Sequence, residues 1–210
     1  LAVKSEWEYT IDEITTGERI GSGSFGIVYK ATLHGQIVAV KQIDASASES
    51  QMKMAAKMLQ REIKALTRCR HKNVVQLIGA CSSPPMLILA FANQDTLLNL
   101  LASNNLRPSR KMTLIHGICD GMSMLHSKEI LHLDLKPSNV LISEKNGTFE
   151  PWVADFGLAI AKNGTTLSSG RGTGSKGGRG TMQYKAPELF KTKQMGGAIY
   201  EKQADVYSFS

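Results

Sequence analysis

A glycine-rich segment near the start of the chain, followed by strand-forming residues, limits the possible folds most. Residues 21–26 read Gly-Ser-Gly-Ser-Phe-Gly, and glycine lets a backbone turn sharply and bring its N–H groups close to a phosphate. Dinucleotide-binding folds use the same spacing, but a helix follows their glycines directly. Here Ile27-Val28 and Ile37 to Val40 predict two strands, with a turn at His34-Gly35. The order favours a strand hairpin over a dinucleotide fold, and a plain glycine-rich turn remains the alternative.

A lysine at the end of the second of these strands needs an anionic partner. Lys41 follows Val38-Ala39-Val40, and an unpaired ammonium in an apolar environment is unfavourable. Ser48 to Arg70 contain no Gly or Pro and predict a helix, on which Glu62 is the candidate partner. The alternative is a lysine that extends its ammonium into solvent at the strand end. The predicted apolar positions of the helix are Met54, Met58, Ile63 and Leu66.

The pattern changes from strands to helices near residue 93. Val74 to Ile78 and Met86 to Leu89 are predicted as strands separated by the Pro84-Pro85 turn. Leu97 to Leu101 then predict a short helix, and a longer helix follows it. The chain is therefore expected to have a small first lobe of strands plus one helix and a mainly helical second lobe. The predicted apolar stripe of the longer helix is Met112, Ile115, Cys119, Met122 and Leu125.

Four polar side chains suited to phosphoryl transfer lie close together in the second half. Asp134 can hold an acceptor hydroxyl and take its proton, and Lys136 can neutralise a phosphate oxygen. Asn139 and Asp155 supply the hard oxygen ligands that Mg²⁺ prefers. This set predicts phosphoryl transfer with a divalent cation.

Composition excludes several other classes of function. The chain has 210 residues, of which 42% are hydrophobic and 20% charged, as in an ordinary globular protein. Its net charge is +7, but the cations are spread along the chain, which argues against nucleic-acid binding and favours anionic nucleotides or acidic partners. The longest apolar run, Met86 to Ala92, has the length of a strand and not of a membrane span.

The three cysteines indicate an intracellular location. Cys69, Cys81 and Cys119 are odd in number and widely spaced, without a C-x-x-C pair for zinc or redox chemistry. Reduced, buried thiols in a cytoplasmic protein are the simplest interpretation.

Five motifs in order resemble those of eukaryotic protein kinases. They are the glycine-rich element, Val38 to Lys41, His132 to Asn139, Asp155-Phe156-Gly157 and Ala186-Pro187-Glu188. Further segments resemble the tyrosine-kinase-like group, which includes the Raf-like kinases and mostly phosphorylates serine and threonine. These segments are Glu13 to Ile20, His34-Gly35 and Asp205 to Phe209. Lys136, two residues after Asp134, and Gly180-Thr181 resemble serine/threonine kinases.

The resemblance implies a two-lobed α+β fold and an ATP- and Mg²⁺-dependent protein serine/threonine kinase, acting in intracellular signalling. Asp134 would be the catalytic base, Lys136 the γ-phosphate contact, and Asn139 and Asp155 the Mg²⁺ ligands. Lys41, braced by Glu62, would hold the α- and β-phosphates. Other nucleotide-binding residues would be Ile20, Gly21, Gly23, Gly26, Val28, Ala39, Leu89, Ala90, Ala92 and Leu141.

The same resemblance implies how the adenine is held and how the two lobes are joined. Adenine would lie between Val28 and Ala39 above and Leu141 below, with a hinge at residues 90–92 and Leu89 as the gatekeeper. A stack of apolar and aromatic side chains would connect the lobes, anchored from the last helix. Its members would be Leu66, Leu77, His132 and Phe156, with Asp205 as the anchor.

By resemblance, the kinase domain spans 14–210, with an N-terminal lobe and hinge at 14–92 and a C-terminal lobe at 93–210. The activation segment would be 155–188, and further helices are expected beyond the given sequence. Leu133 stands where most kinases have the arginine that binds an activation-segment phosphate, which predicts that activity depends weakly on phosphorylation there. The sites concerned are Thr165, Thr166, Ser168, Ser169, Thr173 and Ser175.

The sequence leaves two other functions open. A pseudokinase, as an ATP-binding scaffold, and a dual-specificity or tyrosine kinase are the alternatives. The expected partners are ATP and protein substrates with serine or threonine, without nucleic acid.

Overall fold

The computed structural model describes residues 7–23, 26–103, 106–161, 181–190 and 201–210. The strands are β1 Ile14–Gly23, β2 Gly26–Leu33, β3 Gln36–Gln42, β4 Leu77–Ser82, β5 Pro85–Ala90, β6 Ile130–Leu131, β7 Val140–Lys145, β8 Thr148–Val153 and β9 Ile160–Ala161. The α-helices are α1 Glu49–Arg68, α2 Leu97–Ala102, α3 Pro108–Ser127 and α4 Lys202–Phe209. Short 3₁₀ turns at Ile11–Glu13, Pro137–Asn139, Phe156–Leu158, Met182–Tyr184 and Pro187–Phe190 complete the elements.

The first lobe is a five-stranded antiparallel sheet in the order β1-β2-β3-β5-β4. A strand follows the glycine-rich segment, so the predicted hairpin is confirmed and the dinucleotide fold is excluded. Successive residues of β3 alternate between the two faces, as a pleated strand requires. Val38 and Val40 belong to one apolar cluster, while Ala39 faces the cluster that continues toward the second lobe. Lys41 pairs with Val28 and Leu87 in register.

The fourth strand begins later than the sequence predicted. Residues 74–76 lie outside β4, because the backbone there bonds to another part of the chain. The Val75 N–H donates to the Val153 carbonyl at 2.9 Å, and the Val153 N–H donates to the Asn73 carbonyl at 2.9 Å. This segment therefore ties the first lobe to the β7–β8 hairpin.

Helix α1 packs against the sheet and carries one functional side chain on its buried face. Ser48 caps its N-terminus, accepting a hydrogen bond from the Gln51 N–H while the Gln51 side chain bonds back. The prediction that Met54 is an apolar core position was wrong, since Met54 is 50% exposed. Met58 and Leu66 are buried as predicted. The full buried face of the helix is made of Ala55, Met58, Leu59, Glu62, Ala65 and Leu66.

Helix α3 is the central helix of the second lobe, and its buried face differs from the predicted stripe. Two glycines on α3 allow close packing, because a Cβ at Gly121 would lie 2.6 Å from the Asn73 backbone oxygen. The contact face follows these glycines and turns part of the expected stripe to solvent. Met112, Ile115 and Cys119 are exposed, whereas Leu114, Gly117, Ile118, Gly121, Met122 and Leu125 are buried.

Two further expectations concern cysteines and membranes. Cys69 and Cys81 are buried free thiols as expected, but Cys119 is exposed for the reason just given. Within the described ranges, no helix combines the length and apolar character needed to cross a membrane.

Candidate active site

An ion-pair cluster joins the sheet, helix α1 and the segment after β8. The ammonium of Lys41, at the end of β3, lies 2.8 Å from Glu62 Oε2 and 2.8 Å from Asp155 Oδ1. The partner that the sequence required for Lys41 is therefore present, and the solvent-exposed alternative is excluded. Glu62 is 1% exposed and Lys41 16%, whereas Asp155 is 40% exposed. The cluster is thus buried on the helix side and open on the Asp155 side.

Burial and charge act in opposite directions on this cluster. Burial alone would lower the pKa of Lys41, but the carboxylates of Glu62 and Asp155 outweigh it and raise that pKa. Burial raises the pKa of Glu62, and the Lys41 ammonium partly offsets this effect. Burial also disfavours the charged form of Asp155, yet Lys41 holds the pKa of that carboxyl below its usual value. Lys41 therefore stays cationic and Asp155 anionic near neutral pH.

A second cluster surrounds Asp134, the aspartate of the loop between β6 and β7. The Asn139 amide donates to Asp134 Oδ2 at 3.0 Å and to the Asp134 backbone carbonyl at 2.8 Å. The Lys136 ammonium lies 2.9 Å from Oδ2. The Thr181 N–H donates to Oδ1 at 2.7 Å, and its hydroxyl donates to the same oxygen at 2.9 Å. Both carboxylate oxygens are thus fixed in direction.

Thr181 is the site residue that the sequence analysis did not assign. Its hydroxyl also accepts a hydrogen bond from the Lys136 ammonium at 2.6 Å, so it links lysine and aspartate. The only signal in the sequence was the Gly180-Thr181 pair five residues before Ala186. The 47-residue separation from Asp134 gave no reason to expect contact.

Asp205, in the first turn of α4, binds the backbone of the loop that carries Asp134. Its carboxylate accepts hydrogen bonds from the His132 N–H at 2.9 Å and the Leu133 N–H at 2.7 Å, and lies 2.8 Å from His126 Nε2. Burial would raise the pKa of Asp205, but these hydrogen bonds and the nearby His132 lower it below the usual value. The charged carboxylate fixes Leu133 in a left-handed conformation at φ 65°.

Two side chains of the predicted stack, those of His132 and Phe156, are in contact. The rings of His132 and Phe156 lie 5.0 Å apart between centroids, and both residues are fully buried. Phe156 belongs to the same apolar cluster as Leu66 of α1 and Leu77 of β4. His132 Nε2 donates to the Ala154 carbonyl at 2.9 Å, which holds the imidazole in place. This packing connects α1 to the Asp134 loop.

The predicted nucleotide-binding residues lie on strands β1, β2, β3 and β5, on the segment after β5 and on β7. Ala39 and Leu89 face each other across β3 and β5, and Val28 and Leu141 pack against their cluster. Ala90 ends β5, and its N–H donates to the Gln76 carbonyl at 2.9 Å. The chain then passes through Ala92 toward β7. There the Gln94 N–H donates to the Ile142 carbonyl of β7 at 3.1 Å. The remaining members lie on the β1–β2 hairpin, where Gly21 pairs with Val28, Gly23 pairs with Gly26, and Ile20 is 45% exposed.

Asn139 and Asp155 have the chemistry that a divalent cation needs. Asn139 uses its amide N–H groups in the bonds to Asp134, which leaves its side-chain carbonyl oxygen for a ligand. Asp155 contacts Lys41 through Oδ1 and keeps a second oxygen. In the described part of the chain, no three His, Cys, Asp or Glu side chains form a metal cage. One carboxylate and one amide oxygen suit a cation such as Mg²⁺ that completes its shell with phosphates and water.

The structure describes only the two ends of the predicted activation segment, 155–161 and 181–188. Residues 162–180, which include all six predicted phosphorylation sites, lie outside the described residues. Leu133 is 3% exposed and packs in an apolar cluster with Leu131, Ala186, Leu189 and Ala204. The position that most kinases give to an arginine is therefore built into the apolar core.

Comparison with known proteins agrees with this geometry. Serine/threonine-protein kinase STY46 of Arabidopsis thaliana is 33% identical over 97% of the chain, and serine/threonine-protein kinase CTR1 of the same plant is 32% identical over 94%. Dual specificity protein kinase pyk3 of Dictyostelium discoideum is 31% identical over 99%. The chain spans 33%, 23% and 14% of these three proteins, respectively.

A protein-family model matches most of the chain. Residues 14–210 match the protein kinase domain family, whose members use ATP, a divalent cation and protein substrates. The relatives named as serine/threonine kinases agree with a tyrosine-kinase-like domain of the serine/threonine type. This match and the two charged clusters agree, and the chain belongs to the protein kinase domain family.

Proposed function

We propose that the chain is the catalytic domain of an ATP- and Mg²⁺-dependent protein kinase that phosphorylates serine and threonine. The observation that carries this proposal is the fixed Asp134 carboxylate, which shares its network with Lys136 and Thr181. A side chain oriented by that many donors is suited to position an acceptor hydroxyl. The names of the serine/threonine kinase relatives support the same substrate class.

In this proposal, the chain's own residues position the reactants and balance charge. Lys41, kept cationic by its two carboxylates, binds the α- and β-phosphates of ATP. Asp134 accepts the hydrogen bond of the substrate hydroxyl and takes its proton as the oxygen attacks the γ-phosphorus. The bond between the γ-phosphorus and the oxygen that bridges it to the β-phosphate breaks, and ADP leaves. Lys136 neutralises charge that develops on the transferred phosphoryl group. Asn139 and Asp155 would hold Mg²⁺, which would further neutralise the phosphate charge when bound.

The nucleotide would lie in the cleft between an N-terminal lobe at 14–92 and a C-terminal lobe at 93–210. Val28 and Ala39 would cover the adenine from above and Leu141 from below, in keeping with their shared apolar cluster. The hinge at 90–92 would supply backbone hydrogen bonds, with Leu89 behind the adenine. Residues 155–188 would form the activation segment. The buried free thiols Cys69 and Cys81 favour an intracellular setting.

A transfer assay with matched variants tests the proposal. The full protein receives radiolabelled ATP, Mg²⁺ and a mixed protein substrate, as wild type, Asp134→Ala, Lys41→Met and the exposed-surface control Lys111→Met. Wild type and control should incorporate label equally, and the other two variants should lose nearly all incorporation. Equal incorporation in all four would refute the assignment.

The same experiment separates the alternatives. Phosphoamino-acid analysis distinguishes serine and threonine from tyrosine, which matters because one relative is named as a dual-specificity kinase. If none of the proteins incorporates label but ATP still raises the melting temperature of the wild type, the chain is an ATP-binding scaffold. A melting-temperature shift that Lys41→Met abolishes would place the nucleotide in the same cleft.

A further inference from the structure

Five cations form a single row along the outer face of helix α1. Lys53, Lys57, Arg61, Lys64 and Arg68 follow one another at spacings of four, four, three and four residues. At 3.6 residues per turn, these positions fall within an arc of about 80° and span about 22 Å. The row lies on the side of the helix opposite Glu62, which points into the cleft.

This row is not an ordinary mixed surface of alternating charge. Neighbouring cations three or four residues apart repel one another and disfavour the helix. Glu49, at the helix start, pairs with Lys53 at 2.6 Å, and the other acidic residue of α1, Glu62, is buried on the opposite side. Within the described part of the chain, Lys57 and Lys64 make neither an ion pair nor a side-chain hydrogen bond, and both are exposed. Lys57 and Lys64 therefore keep uncompensated positive charge.

Apolar groups border the row and give it the character of a protein-binding surface. A shallow hollow on this face is lined by Lys57, Gln60, Arg61, Ile63 and Lys64, so that an isoleucine lies among the cations. Met54, at 50% exposure, lies beside the row and offers a flexible apolar contact.

These features favour an acidic protein partner over a nucleic acid or an anionic membrane. Helix α1 has no aromatic side chain on which a nucleic-acid base could stack. Its main apolar face is buried in the fold and cannot enter a lipid bilayer. A segment that presents both carboxylates and apolar side chains matches the cations and their apolar border together.

We propose that the outer face of α1 is a docking surface for an acidic segment of a protein partner. About seven residues of extended chain cover the length of the row. Carboxylates of such a segment would face Lys57 and Lys64, and an apolar side chain would contact Ile63 in the hollow. Docking on this side leaves the cleft and Lys41 accessible.

Peptide binding to the purified full protein tests this surface without any need for ATP or phosphoryl transfer. The probe is a fluorescent 12-residue peptide of four Glu-Glu-Leu repeats, and its counterpart carries Gln in place of Glu. Fluorescence anisotropy should show the Glu peptide binding at least about tenfold more tightly than the Gln peptide, with a preference that falls as salt rises. Because the readout is independent of activity, its failure is distinct from failure of the proposed function.

Charge-reversal variants locate the binding on α1. Lys57→Glu/Lys64→Glu should weaken binding of the Glu peptide at least about tenfold, whereas Lys111→Glu/Lys145→Glu, with the same change in net charge, should weaken it less than about twofold. Each glutamate of the Lys57→Glu/Lys64→Glu variant lies four residues from a lysine or arginine, which favours the helix. Circular dichroism checks that the helix is retained. Equal weakening by both pairs would overturn the proposal. So would tight binding of phosphatidylserine vesicles or oligothymidine without any preference for the Glu peptide.

Discussion

Replacing Thr181 with valine removes one hydroxyl from the network around Asp134 and keeps the rest. The hydroxyl donates to Asp134 Oδ1 at 2.9 Å and accepts from the Lys136 ammonium at 2.6 Å, while the Thr181 N–H keeps its own bond to Oδ1 at 2.7 Å. A hydrogen bond to a charged group contributes about 1.5–3 kcal/mol. If that contribution is realised in the transition state, kcat should fall about tenfold to about 150-fold, at about 1.4 kcal/mol per factor of ten.

Steady-state kinetics with a serine-containing peptide tests this magnitude. The KM for ATP should stay close to that of the wild type, because Lys41 and the cleft are not altered. Thr181→Ser is the matched control, since it restores the hydroxyl and should remain within about threefold of the wild-type kcat. A valine variant with the wild-type kcat, or a serine variant as impaired as the valine variant, would refute the role of the hydroxyl. Thermal melting of each variant separates a catalytic loss from unfolding.

Three further changes test the support of the site. Asp205→Asn should lower the free energy of unfolding by about 1–3 kcal/mol, because one buried backbone N–H loses its acceptor. Because the pKa of Asp205 is lowered in the folded state, wild type is more stable than the variant above about pH 4 and loses this extra stability in more acidic solution. The melting temperatures of the two proteins should therefore converge as the pH falls below about 4. Lys185 is 5% exposed, and burial lowers its pKa. Lys185→Met should therefore raise the free energy of unfolding at neutral pH by about 1 kcal/mol, as measured by urea titration. The difference between the variant and wild type should narrow toward about pH 10, where the lysine loses its charge. Gly121→Ala should destabilise the fold by about 1–3 kcal/mol in the same titrations, because its Cβ would lie 2.6 Å from the Asn73 backbone oxygen.

Local chemistry made much of the fold predictable. The hairpin at His34-Gly35 followed from its turn residues and the β-branched residues of its strands, and helix α1 from its uninterrupted pattern. The contact between Lys41 and Glu62 was predictable because a cation at the end of a buried strand requires a carboxylate, and the nearest helix offers one. In each case, the deciding interaction lies within a few residues or between adjacent elements.

Other features depend on packing that a single sequence does not encode locally. The buried side of α3 contains Gly117 and Gly121, which fit against the Asn73 segment, and this contact decides which of the large apolar residues are buried with them. The apolar period that pointed to Met112 and Ile115 is therefore misleading, since both are exposed. Thr181 contacts Asp134 across a separation of 47 residues in the sequence. No periodicity in the sequence records such a contact.

Leu133 shows how packing can replace charge in supporting a catalytic loop. A leucine at φ 65° is unfavourable by itself, so the surrounding contacts must hold it. The Leu133 N–H donates to Asp205 at 2.7 Å, and the Leu133 side chain packs with Ala186, Leu189 and Ala204, which lie at residues 186–189 and in α4. An arginine here would couple the loop to a phosphate, through an interaction that salt weakens. The apolar contact requires no phosphate, and it ties the loop to the segment near Ala186 through buried surface alone. The weak dependence on phosphorylation that we predict from Leu133 therefore has a physical basis in this cluster.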